Sequence, residues 1–256
     1  MITDMDQLKG GAKRLASRIV KSFWPGRSLI SGTQAYGPGP MSTEDWTALT
    51  FIAGPVCNIC GQPQEIDLGD AATCAPCSAK PPRWSRARAA LAYDESSSRP
   101  ILSLKRAGRR DGLETMAGWM SQVGRPLLDE ADVLVPVPMH SSRLAMRGFN
   151  QAVWLAAAVG RQSHVPVHVT ALKRIKRTPT QGGLTARARR RNVSGAFSVP
   201  DNTRPDVRGR RVVLVDDVHT TGATLNACAR ALRQAGAADV DALVLARVVR
   251  ERDMTI

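Results

Sequence analysis

The sequence is poor in aromatic residues and has no long apolar run. Aromatic residues make up 4% of the 256 positions and hydrophobic residues 43%, so a core must be built mainly from Val, Leu, Ile and Ala. No apolar run reaches the ~18 residues that span a bilayer. The N-terminal region also has no uninterrupted apolar stretch typical of a secretory signal. We therefore expect a cytoplasmic protein that is not an integral membrane protein.

Acidic residues are missing from one long stretch. Residues 133–200 contain no Asp or Glu, although the whole chain has 22 acidic residues against 36 Lys and Arg, a net charge of +14. If these residues form a surface, its positive charge attracts polyanions, namely pyrophosphate, nucleic acid or acidic lipid. A surface that only aids solubility is the open alternative, although it would normally mix both signs. The basic residues of this stretch are Arg143, Arg147, Arg161, Lys173, Arg174, Lys176, Arg177, Arg187, Arg189, Arg190 and Arg191.

Cysteines are few, but four of the five form two CxxC pairs. The pairs are Cys57 with Cys60 and Cys74 with Cys77, and thirteen residues separate them. This spacing lets four thiolates surround Zn²⁺ tetrahedrally. We predict a structural zinc module over residues 55–85, because four Cys ligands leave no open position for catalysis. Reversible disulfides or free buried thiols are the alternatives, and we expect the fifth, Cys228, to be a core residue.

The basic N-terminal segment, residues 1–50, contains short sequences that resemble parts of this module. Residues 28–32 mirror residues 57–61, and residues 42–46 stand where a second pair would follow. One hypothesis is a degenerate zinc knuckle whose cysteines were lost. Because Ser is a poor ligand for Zn²⁺, we predict no second metal. Chance similarity of short segments is the competing explanation.

Alternating apolar and amphipathic segments predict an α/β fold for residues 86–256. We predict strands at 87–93, 133–137, 165–172, 211–215 and 240–246, and helices beginning at 100 and spanning 113–123, 151–161 and 224–234. This order is typical of an open, mostly parallel sheet. Ligands of such sheets bind at the carboxyl ends of the strands.

A phosphate-binding pattern follows the predicted strand 211–215. Asp216 and Asp217 come directly after the apolar run, and a small-residue loop leads into a helix. A helix N-terminus offers free N–H groups to phosphate, and paired carboxylates accept hydrogen bonds from ribose hydroxyls and hold hydrated Mg²⁺. The loop residues are Thr220, Thr221, Gly222, Ala223 and Thr224. The pattern therefore predicts a site for a phosphorylated ribose.

Residues 213–224 (VLVDDVHTTGAT) resemble the motif of type I phosphoribosyltransferases that binds phosphoribosyl pyrophosphate (PRPP). His219 departs from the motif, which usually has an aliphatic or small residue there. The resemblance implies that this position points away from the phosphate.

Further segments resemble the ComF family, which is associated with competence and DNA uptake. They are residues 136–140 (PVPMH) with Arg143, residues 147–151 (RGFNQ), and scattered positions over 174–197. The resemblance covers roughly residues 55–250. It implies a pyrophosphate loop over 136–143 and a mobile hood over 174–192. It also suggests Arg143, His140, Arg147 and Lys105 as residues of the site.

The resemblance implies a phosphoribosyltransferase that binds PRPP with Mg²⁺. Asp216, Asp217 and Arg143 would be catalytic, while the loop 220–224, His140, Arg147 and Lys105 would bind substrate. Two other hypotheses stay open: a non-catalytic protein that binds single-stranded DNA, and a PRPP-sensing regulator that contacts other competence or DNA-uptake proteins. No residue for recognising a base can be named.

Overall fold

The computed structural model describes residues 26–28, 34–35, 41–67, 69, 72–107, 110, 112–177 and 191–249. These residues fall into two compact units that divide between Ala48 and Leu49. Within the described ranges, no helix is both long enough and apolar enough to cross a membrane.

The first unit contains a minimal hairpin and a short helix. Strand β1 (Gly26–Arg27) pairs antiparallel with β2 (Gln34–Ala35), and helix α1 (Thr43–Thr47) follows. The helix begins after Ser42, whose Oγ accepts a hydrogen bond from the Asp45 N–H at 3.2 Å. This is the cap that a Ser at such a position is expected to provide.

The second unit is built on a four-stranded parallel sheet. Its strands are β3 (Ala87–Ala92), β4 (Val133–Pro136), β7 (Arg211–His219) and β8 (Asp239–Arg247), in the order β3-β8-β7-β4. All neighbours in this sheet run parallel. Residues 212–215 of β7 and residues 242–246 of β8 are apolar and buried, as central strands covered by helices on both faces must be. The predicted open parallel sheet is therefore confirmed.

The remaining elements connect and cover these strands. The helices are α2 (Ala75–Ala79), α3 (Glu95–Ala107), α4 (Leu113–Leu128), α5 (Ser141–Arg147), α6 (Gln151–Ser163) and α7 (Ala223–Gln234). Two short strands, β5 (Lys173–Arg174) and β6 (Phe197–Ser198), pair antiparallel. They flank residues 178–190, so most of the predicted hood lies outside the described residues.

Helices cover both faces of the sheet. On one face, α7 contributes Leu225 and Leu232 to a buried cluster that also contains Val212 and Leu214 of β7. On the other face α4 lies so close to β8 that a Cβ on Gly124 would lie 2.8 Å from a methyl carbon of Leu243. Because side chains alternate along a strand, each sheet residue contacts one helical layer or the other. The result is a three-layer α/β/α arrangement.

Four predicted elements differ from the structure, and one of them is α4, which continues past the predicted end at residue 123 to Leu128. Residues 165–172 do not form a regular strand, because beyond the edge strand β4 they make only a single parallel bridge, between Leu134 and Val167. Helix α3 begins at Glu95 instead of residue 100, because Asp94 and Ser97 exchange hydrogen bonds between their side chains and N–H groups. Strand β7 continues to His219, since β8 offers it partners as far as Arg247.

Candidate functional site

Two connections meet at the carboxyl edge of the sheet and enclose a cleft of about 510 Å³. One follows β4, where the Val137 N–H donates to the Val215 carbonyl of β7 at 2.9 Å. The other follows β7 and leads into α7. Asn150 closes the first connection, because its Nδ2 donates to the Val137 carbonyl at 3.0 Å. The cleft therefore lies where ligands of parallel α/β sheets are expected.

Asp216 and Asp217 line this cleft from within β7 and not from a loop after it. Strand alternation sends their side chains to opposite sides. Asp217 is buried, and its Oδ2 accepts a hydrogen bond from Gln151 Nε2 of α6 at 2.9 Å. Asp216 is partly exposed on the α7 side, and its Oδ1 accepts from the Asp217 N–H at 2.9 Å. The pair presents two fixed carboxylates at the base of the cleft.

Residues 220–224, which the sequence predicts to bind phosphate and which we call the phosphate loop, connect these acids to α7. Gly222 has a φ of +70°, a conformation that favours glycine, and it directly precedes the first residue of the helix. Thr220, Gly222, Ala223 and Thr224 line the cleft. The open N-terminus of α7 thus borders the cavity, as phosphate binding requires.

Three arginines also line the cleft. Arg143 and Arg147 come from α5, and Arg174 comes from β5. Burial lowers the pKa of Arg174, and the positive charge of Arg143 lowers it further. The Arg174 guanidinium nevertheless stays charged at neutral pH. A cleft with carboxylates at its base and guanidinium groups on its wall suits a ligand with hydroxyl groups and anionic groups.

Some predicted residues are not brought into this cleft. His140 does not line it; its Nδ1 caps α5 by accepting a hydrogen bond from the Ser142 N–H at 3.2 Å. Thr221 lines a smaller cavity of about 280 Å³ on the other side of the loop. Lys105 belongs to α3, but its side chain lies outside the described residues. His219, expected to point away from the phosphate, lines the cleft and packs edge-on against Trp84.

The cleft also contains residues that sequence reasoning did not assign to it. Gln151 and Tyr93 line it, and so does Arg174, which the family resemblance placed only in the hood. Gln151 and Asp217 are 66 positions apart, so no local pattern could pair them. The RGFNQ segment could have indicated the position of Gln151 from sequence. Asn150 caps α6, and this cap places Gln151 in the first turn of the helix.

The four paired cysteines converge and could hold a metal ion such as zinc. Their Sγ atoms all lie within 4.8 Å of one another, and all four residues are buried. Tetrahedral ligands at a Zn–S distance of about 2.3 Å would be separated by about 3.8 Å, and the Sγ atoms of Cys60 and Cys74 lie 3.7 Å apart. Hydrogen bonds from neighbouring thiols lower the pKa of Cys57, while burial raises the pKa of Cys74 to about 12. The donor set and its spacing fit zinc. The fifth cysteine, Cys228, is a fully buried core residue, as predicted.

The first unit repeats part of this geometry without cysteines. Ser42 precedes α1 as Cys74 precedes α2, and its N–H donates to Ser28 Oγ at 3.4 Å. In the cysteine module the Cys74 N–H donates to Cys57 Sγ at 3.3 Å. Asp45 is the third residue of its helix, as Cys77 is of α2, and it accepts a hydrogen bond from Ser28 Oγ. Ser31, which corresponds to Cys60, lies outside the described residues.

Comparison with known proteins agrees with the geometry of the cleft. A family model described as "Phosphoribosyl transferase domain" matches residues 111–254. Competence protein F of Haemophilus influenzae is 40% identical over 116 residues, which cover 45% of this chain and 50% of that protein, so the match spans about half of its length. DNA utilization protein YhgH of Escherichia coli O157:H7 is 32% identical over 217 residues, covering 76% of this chain and 91% of that protein. Competence protein ComFC of Bacillus subtilis is 29% identical over 208 residues, covering 78% and 80%.

Proposed function

The chain belongs to the phosphoribosyl transferase domain family, in the group that includes YhgH, Competence protein F and ComFC, and we propose that it binds PRPP in the cleft. The observation that carries this proposal is the union of three features in one cavity. Two carboxylates of β7, the phosphate loop and the arginines of α5 all line it. Each feature matches one part of PRPP.

In this proposal the phosphate loop holds the 5′-phosphate through backbone N–H groups and threonine hydroxyls. Asp216 and Asp217 accept hydrogen bonds from the two ribose hydroxyls, and Gln151 keeps Asp217 oriented. Arg143, Arg147 and Arg174 bind the pyrophosphate, for which planar guanidinium groups are well suited. Mg²⁺ held by the carboxylates would neutralise part of the pyrophosphate charge.

The reaction that follows from this arrangement is transfer of the phosphoribosyl group. The bond between ribose C1 and the pyrophosphate oxygen breaks, pyrophosphate leaves with the bonding electrons, and a nucleophile bonds to C1. The arginines stabilise the negative charge that develops on the leaving group, while the carboxylates favour the positive charge that develops on the ribose. A metal ion in the cysteine module would be structural, because all four of its ligands are protein thiols.

Two measurements test this function. Binding of PRPP with Mg²⁺ should raise the melting temperature of the protein, as any ligand of the native state does. Release of pyrophosphate in the presence of a panel of bases would then distinguish an enzyme from a PRPP-sensing regulator, which binds without turnover. A protein that neither binds PRPP nor releases pyrophosphate would contradict the proposal.

A second function, binding of single-stranded DNA, is favoured by a different observation. Phe149 and Trp154 are stacked with centroids 4.4 Å apart and planes at 11°, and Arg110 lies 4.6 Å above the Trp154 ring. Both aromatic rings are partly exposed, and Arg143 and Arg147 belong to the neighbouring helix α5. Surfaces that bind single strands combine basic residues with aromatic rings on which bases stack, and both kinds of residue occur here. The names of the relatives link them to competence and DNA utilization, and the same role is proposed for this chain.

A further inference from the structure

Trp84 lies between the four cysteines and the phosphate loop. It follows residues 80–82 and precedes β3, and only 6% of its surface is exposed. Its indole Nε1 donates a hydrogen bond to the Ile59 carbonyl at 2.9 Å. Ile59 stands between Cys57 and Cys60 and packs against the four thiols. One end of Trp84 is therefore held by the turn that carries the first cysteine pair.

The other end of Trp84 supports the phosphate loop. A Cβ placed on Gly222 would lie 2.6 Å from Trp84 Cη2 and 2.8 Å from His219 Nε2. The Trp84 ring also meets the His219 ring edge-on, with centroids 5.5 Å apart. Since Gly222 has no side chain, the indole ring takes the space that one would fill. The loop backbone rests directly on this ring.

A second connection runs in parallel through Arg247. This buried residue donates from Nη1 to the Cys60 carbonyl, and it is the register partner of His219 on β8. The next residue, Val248, donates its N–H to the His219 carbonyl at 2.9 Å. The carbonyls of two successive residues, Ile59 and Cys60, thus accept hydrogen bonds from Trp84 and Arg247. Both donors are neighbours of His219, which directly precedes the phosphate loop.

We propose that the metal-bound cysteine module sets the conformation of the phosphate loop, and that Trp84 is the positioning residue that couples them. Metal bound to Cys57 and Cys60 fixes the turn between them, and this turn orients the Ile59 carbonyl that anchors the indole. Loss of the metal releases that anchor and lets the ring move against Gly222. The effect of the coupling on PRPP rests on the function proposed above, whereas the contact between module and loop does not.

The coupling must be reciprocal, because linkage between two binding sites is symmetric. PRPP with Mg²⁺ should raise the affinity for zinc, measured as zinc release to a chromogenic chelator at equilibrium, by about fivefold or more, the lower end of typical coupling between sites. Trp84→Phe removes the N–H donor together with the outer ring carbons, Cη2 and Cζ3, that face Gly222. This variant should bind PRPP, yet PRPP should alter its zinc release by less than about twofold on the same scale.

Trp119→Phe is the matched control, because Trp119 is also buried but packs on Phe51 and lines neither the cleft nor the smaller cavity. It should behave like the parent protein. If Trp84→Phe keeps the full effect of PRPP on zinc release, Trp84 is not the coupling residue.

Amide hydrogen exchange tests the contact without PRPP. Removal of zinc from the parent should speed exchange at residues 218–224 and leave the buried strand β8 unchanged. In Trp84→Phe, loop exchange should be the same with and without zinc. An unchanged loop in the parent would overturn the proposal, and so would equal exposure of β8, which would indicate global unfolding. A loop that responds to zinc in a protein that does not bind PRPP would support the coupling and contradict the proposed function.

Discussion

At the scale of single residues, Gly222 is the most constrained position of the candidate site. Its φ of +70° favours glycine, and a Cβ there would collide with Trp84 and His219. From sequence, a glycine in this loop is expected only to let the phosphate approach the backbone. The structure adds a separate reason, because the indole ring of Trp84 leaves no room for a side chain.

Gly222→Ala should therefore abolish the rise in melting temperature that PRPP produces in the parent protein. The new Cβ can be accommodated only if the loop or the Trp84 ring moves. Gly209→Ala is the matched control, because Gly209 has a φ of +72° but no atom within 4 Å of its missing Cβ. The control should lose about 1–2 kcal/mol of stability from strain alone and still bind PRPP. Normal PRPP binding by Gly222→Ala would refute the assignment of the loop.

Gln151 provides a second test at this scale. Gln151→Leu removes the amide that donates to the buried Asp217 carboxylate and orients it. We expect PRPP affinity to fall by about tenfold or more, ~1.4 kcal/mol, because the carboxylate is then no longer aligned with the ribose hydroxyls. Gln162→Leu, on the exposed end of the same helix, should leave calorimetric binding of PRPP unchanged. Equal affinities for the two variants would mean that Gln151 does not position Asp217.

At the scale of elements, the structures that local sequence determines were predicted well. The apolar run of β7, the small-residue loop and the amphipathic α7 lie next to one another in sequence, and all three were found. Residues 165–172 were predicted as a strand, but a strand needs partners, and the edge of β4 pairs with only one of these residues.

The candidate site was predictable where residues are close in sequence, and not where distant segments converge. His140 follows a strand and was assigned to the substrate, and in the structure its Nδ1 accepts a hydrogen bond from the Ser142 N–H at the start of α5. Gln151 and Arg174 enter the cleft only through the tertiary packing that places α6 and β5 beside it. Such contacts follow from tertiary packing, which one sequence does not reveal.

The cysteine module should bind close to one zinc ion per chain. Cys60→Ser removes one of four ligands and with it much of the folding energy that a structural metal supplies. We expect the variant to lose zinc and its module to become sensitive to proteolysis. Cys228→Ser is the control and should keep its zinc, because Cys228 lies in the buried cluster between β7 and α7 and not among the four paired cysteines. Elemental analysis of protein purified without chelator checks this. Absence of zinc from the parent would contradict it.

Restoring four cysteines in the first unit tests the hypothesis that it is a degenerate zinc knuckle. Ser28, Ser42 and Asp45 adopt the relationships of Cys57, Cys74 and Cys77. Changing these three residues and Ser31 to Cys should therefore raise the zinc content from one ion per chain to two. A variant that still binds one ion would favour chance similarity over a lost metal site.

At the scale of the whole molecule, the distribution of charge separates the two proposed functions. A pyrophosphate group needs only two or three of the basic residues in the acid-free stretch 133–200. The remaining positive charge would be explained if the surface also binds a nucleic-acid backbone. Arg187, Arg189 and Arg190 lie outside the described residues, and Arg191 beside them is exposed.

If this surface binds single-stranded DNA, log affinity should fall with log salt with a slope of roughly −0.7 per phosphate contacted, and we expect about three to five contacts. Changing Arg189, Arg190 and Arg191 to Glu should weaken DNA binding and flatten the slope without affecting PRPP. The control changes the exposed Arg125, Arg204 and Arg208 to Glu, which alters net charge equally outside the stretch. Equal loss in both variants would indicate a nonspecific charge effect. No salt-dependent binding by the parent would eliminate the DNA function.

Isothermal titration calorimetry of the zinc-loaded protein with PRPP and Mg²⁺ tests the central claim most directly, with Gly222→Ala and Gly209→Ala titrated in parallel. The claim is that the cleft between the loops after β4 and β7 is a PRPP site. It predicts saturable binding of one PRPP per chain in the parent and in Gly209→Ala, and none in Gly222→Ala. A folded, zinc-loaded parent that gives no saturable heat with PRPP would contradict it.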